Sequence, residues 1–278
     1  MKSSLFIRIG IAGVVGWSLI APFTFNKPKV ITPEKLDEPD ITQVKPEVIE
    51  QPLHNVVLPK FAEIVDVKKK KAAFFNFLRP SVNQANSEIL IERQAIKVML
   101  DKISLEESLS ALESELLVTL AKKYRVSRKF SQFQKLNELL LRVDIIPSPL
   151  VLVQAANESA WGTSRFARIG LNFFGIWCYQ KGCGMVPKSR NEGANHEVAA
   201  FNSVNHAVER YLYNINTNSA YTVFRAIRGQ LRAQNQPLQA QVLATGLLPY
   251  SERGTDYVLE ITEMIRHNKA YLNVASAD

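Results

Sequence analysis

Apolar residues recur at helical spacing through most of the chain beyond residue 60. Apolar positions that all fall on one side of a helix are typical of a helix that packs one face on a core. The clearest stripe consists of Val204, Val208, Tyr211 and Ile215. Helices are predicted at 86–100, 104–122, 127–142, 148–158, 203–215, 220–234, 238–245 and 254–270. Strand-like alternation is nearly absent, so the pattern predicts a mainly helical domain.

Local signals mark where three of these helices begin. Ser104 with Glu107 three residues later fits a capping box. Ser148 can cap a helix whose first turn holds Pro149. Ser203 stands where it can cap the helix that carries the clear apolar stripe.

The first 60 residues follow a different pattern. An apolar run from Ile9 to Phe25 comes after Lys2 and Arg8, as in a secretory signal or a membrane anchor. No good cleavage site follows, which favours an uncleaved anchor over residues 1–26; a buried helix of a soluble protein is the alternative. Six of the chain's 13 prolines fall in residues 27–60 and predict an extended linker. The helical domain then divides into 61–144 and 145–275.

Composition and charge narrow the possible functions only partly. Hydrophobic residues make up 46% of the chain, as in a folded globular protein, and the net charge is +8. A basic chain attracts anionic partners, which include nucleic acid, membrane surfaces and cell-wall polymers. No nucleic-acid-reading motif, Gly-rich phosphate loop or zinc-binding helix is present, and His196-Glu197 lacks the second histidine. We therefore predict no metal, no cofactor and no nucleic-acid partner.

The loop between residues 172 and 198 holds both cysteines, Cys178 and Cys183, and is predicted to carry a short hairpin. Two cysteines are too few for a structural zinc site. In an oxidising compartment a disulfide between them is expected, whereas two unpaired thiols are the alternative.

The candidate chemistry lies at the end of the helix that follows Pro149. Val151, Ala155 and Glu158 share one face, which places the carboxyl of Glu158 at the C-terminal end of a mostly apolar stripe. Apolar surroundings and the negative end of the helix dipole both oppose ionisation. A glycosidase acid needs such a site, because it must donate a proton near neutral pH. An ordinary surface or structural glutamate is the alternative, and Trp161 could supply an apolar wall or a sugar-stacking face.

Two motifs resemble one bacterial family. They are Glu158-Ser159-x-Trp161-Gly162-x-Ser164 and Asn172-x-Phe174-Gly175-Ile176. Both are similar to the bacterial endo-β-N-acetylglucosaminidases, which hydrolyse peptidoglycan. The segments 190–193 and 250–254 resemble the Bax-type members of that family in Gram-negative bacteria.

The resemblance implies a lysozyme-like helical fold with a small β-lobe. It implies that Glu158 is the catalytic acid and that Glu192 is the second acidic residue, with Glu197 as the alternative. A C-terminal tyrosine also acts in relatives, and Tyr250 matches this position better than Tyr257. The expected substrate contacts are Ser159, Trp161, Asn172, Phe174 and Tyr257.

The function that the resemblance implies is cleavage of the β-1,4 bonds of peptidoglycan glycan strands at N-acetylglucosamine. The expected location is the periplasm, with the N-terminal segment anchored in the inner membrane or secreted across it. A lytic transglycosylase, which makes anhydro-sugar ends, and a non-catalytic peptidoglycan-binding scaffold are the alternatives.

Overall fold

The structure, a computed structural model, describes residues 50–187, 193 and 196–272. The predicted anchor over 1–26 and most of the predicted linker lie outside these residues. The helices in chain order are α1 (Val67–Ser104), α2 (Ala111–Lys123), α3 (Gln132–Arg142), α4 (Ser148–Glu158), α5 (Arg165–Gly170), α6 (Val204–Thr217), α7 (Thr222–Ala233), α8 (Ala240–Ala244), α9 (Thr255–His267) and α10 (Lys269–Leu272). Short 3-10 segments occur at Phe61–Glu63, Ser219–Tyr221 and Thr245–Tyr250.

Three short strands form a small antiparallel sheet between α5 and α6. They are β1 (Trp177–Cys178), β2 (Gly184–Met185) and β3 (Glu197–Ala199), in the order β1-β3-β2. The register pairs Trp177 with Val198 and Gly184 with Ala199. A Cβ at position 184 would lie 2.0 Å from the carbonyl oxygen of Val198, so only glycine allows this close approach. The expected mainly helical domain with a small β-lobe is confirmed.

The core surrounds α4. Its apolar residues from Leu150 to Val153, together with Ala155 and Ala156, are completely buried. Helix α4 packs against α1, α8, α9 and α10. The stripe on α6 is buried as predicted. A helix that is covered all round places its last residue, Glu158, at a fixed position relative to the rest of the domain.

Several helix boundaries differ from the prediction. Helix α1 is continuous across Pro80, which is exposed, and ends at Ser104. The capping box lies at Ser110 and Glu113 instead of Ser104 and Glu107, since both reciprocal hydrogen bonds form there. A second capping box starts α3 at Ser131.

Ser148 and Ser203 are each predicted to cap a helix, and only the prediction for Ser203 is confirmed. Ser148 does not cap α4, because its hydroxyl donates to Asn83 Oδ1 at 3.1 Å. Ser203 does cap α6 and accepts the backbone N–H of His206 at 3.1 Å.

The described end of the predicted linker is extended but lies on the domain. The backbone N–H of Leu53 donates to the carbonyl of Ile169 at 2.8 Å, and Val56 and Leu58 pack against the core. Residues 53–58, which fall in the predicted linker, are therefore part of the domain surface. Among the described residues, no helix combines the length and the apolar character needed to cross a bilayer.

A buried carboxylate connects α1 and α7 to the loop before α4. Asp144 is 1% exposed and accepts hydrogen bonds from Arg232 at 2.8 and 2.9 Å, while Arg93 lies 3.5 Å away. Burial acts to raise the pKa of Asp144. The hydrogen bonds from Arg232 and the charges of Arg228 and Arg93 outweigh this effect, so the pKa is lowered.

Candidate active site

Glu158, the last residue of α4, lies at the wall of a cleft of ≈ 680 Å³. The cleft is bounded by β1 with its flanking loops, by one face of α6 and by the 3-10 segment that ends at Tyr250. Of the described residues that line it, Glu158 alone carries a carboxylate. Its side chain is partly buried. The carboxyl therefore borders an open groove and is shielded on its other sides.

The surroundings of Glu158 oppose its ionisation. Burial is the largest effect and raises the pKa of Glu158, and the negative charge of Glu260 acts in the same direction. Hydrogen bonds with Tyr257 and Asn157 and the charge of Arg253 lower the pKa but do not cancel the effect of burial. The carboxyl thus keeps its proton to a higher pH than an ordinary glutamic acid, in the direction that its place in the sequence predicts.

A chain of buried hydrogen bonds connects Tyr211 and Gln154 to Glu158 through Tyr257. The Tyr211 hydroxyl donates to Gln154 Oε1, and Gln154 Nε2 donates to the Tyr257 hydroxyl at 2.9 Å. Tyr257 in turn is hydrogen-bonded to Glu158. Because the oxygen of Tyr257 accepts from Gln154, its own proton is free to point at the carboxyl. The chain holds the carboxyl in one orientation.

A turn between α5 and β1 lies against the same carboxyl. Gly175 has a φ of +64°, and a Cβ there would lie 3.6 Å from Glu158 Oε2. Asn172 is 2% exposed, and its Nδ2 donates to the carbonyls of Ile176 and Ala199, both at 2.8 Å. Its Oδ1 accepts the backbone N–H of Ile176 at 3.0 Å. The prediction that Asn172 contacts substrate is therefore wrong, since its polar atoms hold this turn in place.

The chain leaves α4 through a sharp turn. Ala160, Trp161 and Gly162 have φ values of +49°, +58° and +76°. Left-handed backbone costs a non-glycine residue about 1–2 kcal/mol, so the turn needs support. Ser159 is fully buried and supplies it: its Oγ donates to the Ala155 carbonyl at 2.6 Å and accepts the N–H of Gly162 at 2.9 Å. The prediction that Ser159 contacts substrate is wrong for this reason.

Trp161 packs on α1 and is not among the described residues that line the cleft. Its ring packs edge-on against Phe74 at 5.8 Å and Phe75 at 5.3 Å, both on α1, and Lys71 Nζ lies 5.3 Å from the ring centroid. Its exposed part borders a separate depression near Glu260. Trp161 therefore anchors the turn to α1 and does not line the cleft beside Glu158, and its contact with sugar stays a prediction.

Aromatic residues form the floor of the cleft. Phe174 lines it and stacks on Tyr211 with ring centroids 4.3 Å apart. Tyr250 also lines it and donates to the Phe174 carbonyl at 2.8 Å. Burial raises the pKa of Tyr250 well above its ordinary value, so it stays a neutral phenol. Phe174 and Tyr250 thus meet Glu158 in the cleft, whereas Tyr257 is 1% exposed and acts on Glu158 instead of on substrate.

Of the two candidates for a second catalytic carboxylate, Glu192 and Glu197, the structure describes only Glu197. Glu192 lies outside the described residues. Glu197 is 4% exposed and accepts the backbone N–H groups of Gly182 and Gly184, each at 2.9 Å. It does not line the cleft. Glu197 therefore holds the β-lobe together, and its assignment as the alternative catalytic residue is wrong.

Cys178 and Cys183 form a disulfide, as predicted, with their Cα atoms 6.2 Å apart. The loop that it closes lines the cleft with Tyr179 and Gln180. The two sulfurs and a carboxylate oxygen of Glu197 lie within 4.8 Å of one another. Cysteine binds metal ions as a thiolate, and the disulfide leaves neither sulfur in that form, so Glu197 alone of this group could act as a ligand.

Sequence reasoning missed several residues that line the cleft. Trp177 and Tyr179 are 47% and 78% exposed and flank Cys178. Two exposed aromatics in one loop are a signal for sugar stacking that the sequence contained. Arg125 and Arg210 also line the cleft, but they come from distant segments and carry no local signal.

Comparisons with known proteins agree with these features. The family described as mannosyl-glycoprotein endo-beta-N-acetylglucosaminidase matches residues 132–270. Protein bax of Escherichia coli (strain K12) is 34% identical over 217 residues, which are 76% of this chain and 74% of that protein. No solved structure gives a significant match.

Proposed function

Because this chain belongs to the glucosaminidase family as a Bax-type member, a family of the glycosidase type, we propose that it is an endo-β-N-acetylglucosaminidase. Its substrate in this proposal is the glycan strand of peptidoglycan, and Glu158 is its general acid. One observation carries the assignment of the acid: a carboxyl with a raised pKa borders the cleft and has no other described carboxylate beside it there.

The cleft suits a sugar chain. It is an open groove instead of a closed pocket, and exposed rings of Trp177 and Tyr179 stand along it. Rings of this kind stack on the apolar faces of sugars, while polar groups such as Asn214 on α6 can meet sugar hydroxyls. An open groove allows binding in the middle of a strand, which an endo-acting enzyme requires.

The proposed reaction begins with proton transfer from Glu158 to the oxygen of the scissile glycosidic bond. That bond then breaks as positive charge develops on the anomeric carbon. The ionised carboxylate that remains is stabilised by the hydrogen bond from Tyr257, so Tyr257 assists the step without touching substrate. Tyr250 stays a neutral phenol, and its hydroxyl proton is donated to the backbone carbonyl of Phe174. The lone pairs of the Tyr250 oxygen are therefore available to the positively charged sugar.

The group that assists on the other face of the sugar is the second part of the proposal. We assign it to Glu192, which matches the family's acidic position in the β-lobe. If the two carboxyls lie about 5 Å apart the enzyme retains configuration, whereas about 6.5–9.5 Å leaves room for an inverting water. The substrate's N-acetyl group is a third way to stabilise the charge.

Product analysis tests the reaction. Purified full-length protein is incubated with peptidoglycan sacculi, and the released fragments are reduced with borohydride and analysed by mass spectrometry. Fragments with reduced N-acetylglucosamine at their ends support the proposal. Anhydromuramic ends would instead identify a lytic transglycosylase, and binding without release would identify a scaffold. Glu158→Gln is the matched control, because it keeps the shape of the side chain and removes the acid.

We also propose a periplasmic location, with the N-terminal segment in or across the inner membrane. The disulfide between Cys178 and Cys183 is consistent with an oxidising compartment. Alkylation of intact cells and of reduced extracts with a maleimide reagent tests this. The two cysteines should be protected in cells and should react only after reduction; labelling without reductant would refute the location.

A further inference from the structure

The lining of the cleft has an uneven distribution of charge. Of the described residues that line it, Arg125 and Arg210 are basic and Glu158 is the one acidic residue. The charges with the largest effects on the pKa of Glu158 are those of Glu260 and Arg253, which do not line the cleft. The two cleft arginines are therefore not among the charges with the largest effects on the pKa of Glu158.

Both arginines are held by the same aromatic ring. The Cζ atoms of Arg125 and Arg210 lie 5.5 and 5.4 Å from the ring centroid of Tyr213. Arg125 Nε also donates to the Tyr213 hydroxyl at 3.0 Å. The carbonyl of Arg125 accepts from Arg142 at 3.0 Å, which fixes the backbone of the loop. Two exposed guanidiniums from separate segments are thereby held against one ring at the cleft.

These guanidiniums have no anionic partner in the described part of the chain. No carboxylate of residues 50–187, 193 or 196–272 lies within 4.0 Å of either one. Within the same ranges the Nη groups of both donate to no protein acceptor, in contrast to those of Arg228 and Arg232. Guanidinium forks of this kind are suited to bind a carboxylate with two parallel hydrogen bonds.

The position along α6 indicates what the forks would meet. Cleft-lining residues on this helix run from Arg210 through Asn214 to Thr217, which corresponds to about 10 Å along the axis at 1.5 Å per residue. Tyr221, just beyond Asn218, interacts electrostatically with Glu158. A glycan strand that follows this face passes both the acid and the arginines. In peptidoglycan, every second sugar carries a peptide with free carboxylates.

We propose that Arg125 and Arg210 form a carboxylate-binding subsite for the stem peptide of the glycan strand. The subsite makes the enzyme select strands that still carry their peptides. This inference rests on the proposed function, since it assumes that peptidoglycan lies in the cleft.

Three substrates test the subsite: glycan strands with native stem peptides, the same strands with their free carboxylates amidated, and strands stripped of peptides by an amidase. We expect kcat/KM to be about threefold to tenfold higher for native strands than for the other two, mainly through KM. In Arg125→Gln/Arg210→Gln the ratio should fall to about one, and Arg125→Lys/Arg210→Lys should keep part of it because the charge remains.

Arg128→Gln is the matched control, because Arg128 is exposed in the loop that follows Arg125 but does not line the cleft. It removes the same charge and should leave the ratio unchanged, which separates the subsite from long-range attraction. Equal rates on native and amidated strands would overturn the inference, since peptide bulk and not carboxylate would then be recognised. An unchanged ratio in the double glutamine variant would overturn it as well.

Binding measurements separate this inference from the proposed function. Glu158→Gln protein is titrated with native and amidated strands, so that no cleavage is needed. If the unmodified enzyme cleaves none of the three substrates, the proposed function fails. Tighter binding of native strands that disappears with the two glutamine substitutions would still support the subsite, and equal binding would overturn it.

Discussion

Replacing Tyr257 with Phe removes the hydroxyl that links Gln154 to Glu158 and leaves the ring in place. The ring is 1% exposed and stacks on Tyr250 with centroids 5.5 Å apart, so its packing should survive. The hydroxyl accepts from Gln154 at 2.9 Å and is hydrogen-bonded to the carboxyl. The substitution therefore changes two interactions and creates almost no cavity.

The stability cost follows from the amide that loses its acceptor. Gln154 is fully buried, and an unsatisfied buried donor costs about 1–3 kcal/mol. In a domain of this size each kcal/mol lowers the melting temperature by about 2–4 °C. We therefore expect Tm to fall by roughly 2–12 °C, measured by calorimetry at a pH where the protein unfolds reversibly.

The effect on catalysis has a definite sign. The Tyr257 hydrogen bond favours the ionised carboxylate and lowers the pKa of Glu158, so its loss raises that pKa further. A general acid works while it is protonated. The basic limb of the pH profile of kcat/KM should therefore move to higher pH in Tyr257→Phe.

Tyr211→Phe is the matched control, because the Tyr211 hydroxyl donates to the other end of the Gln154 amide and is equally buried. It should destabilise the fold to a similar extent and leave the basic limb where it is. A basic limb that stays in place or moves to lower pH in Tyr257→Phe would refute the role that we assign to this hydrogen bond.

Four further predictions test other parts of the structure. Glu158→Gln should lower kcat by about 10²–10⁴-fold. It should also raise Tm at pH 7, because burial raises the pKa of Glu158 and makes its charged form unfavourable in the folded state; a lower Tm would contradict this. Gly175→Ala should lower the free energy of unfolding by about 1 kcal/mol, because φ is +64° at this position. An unchanged free energy in denaturant unfolding would show that the alanine is not strained there. Replacing Cys178 and Cys183 with Ser should lower the free energy of unfolding by about 2 kcal/mol, because the disulfide closes only a short loop in the unfolded chain. A Tm of the unmodified protein that does not change with reductant would contradict this stabilisation. Asp144→Asn leaves three arginines without their counter-ion and should cost about 3–5 kcal/mol in chemical denaturation, whereas a loss below 1 kcal/mol would show that solvent screens the cluster.

The pH dependence of stability should also reflect Asp144. Its pKa is lowered in the folded state, so the stabilisation is present above the unfolded pKa of 3.8. It is lost as the pH falls through the folded value. Unfolding measured between neutral and acidic pH should show this loss, and Asp144→Asn should remove it.

The local interactions of the chain could be predicted from its sequence. The stripe on α6 and its cap at Ser203 depend on residues within one or two turns of each other. The place of Glu158 at the end of an apolar helix follows from the same short-range periodicity. The pairing of Cys178 with Cys183 is expected from their closeness along the chain together with an oxidising compartment. Each of these features is decided by neighbours in sequence.

Only the tertiary structure decided which way the motif residues point. The left-handed turn at 160–162 places Trp161 against α1, so the aromatic residue three positions after the motif glutamate packs on another helix. The Asn172 side chain is hydrogen-bonded to backbone groups of the turn and of β3. The cleft is lined instead by Trp177 and by Arg125, which follows the end of α2. The direction of a side chain after a turn depends on contacts between segments far apart in sequence. Periodicity within one helix carries no information about those contacts.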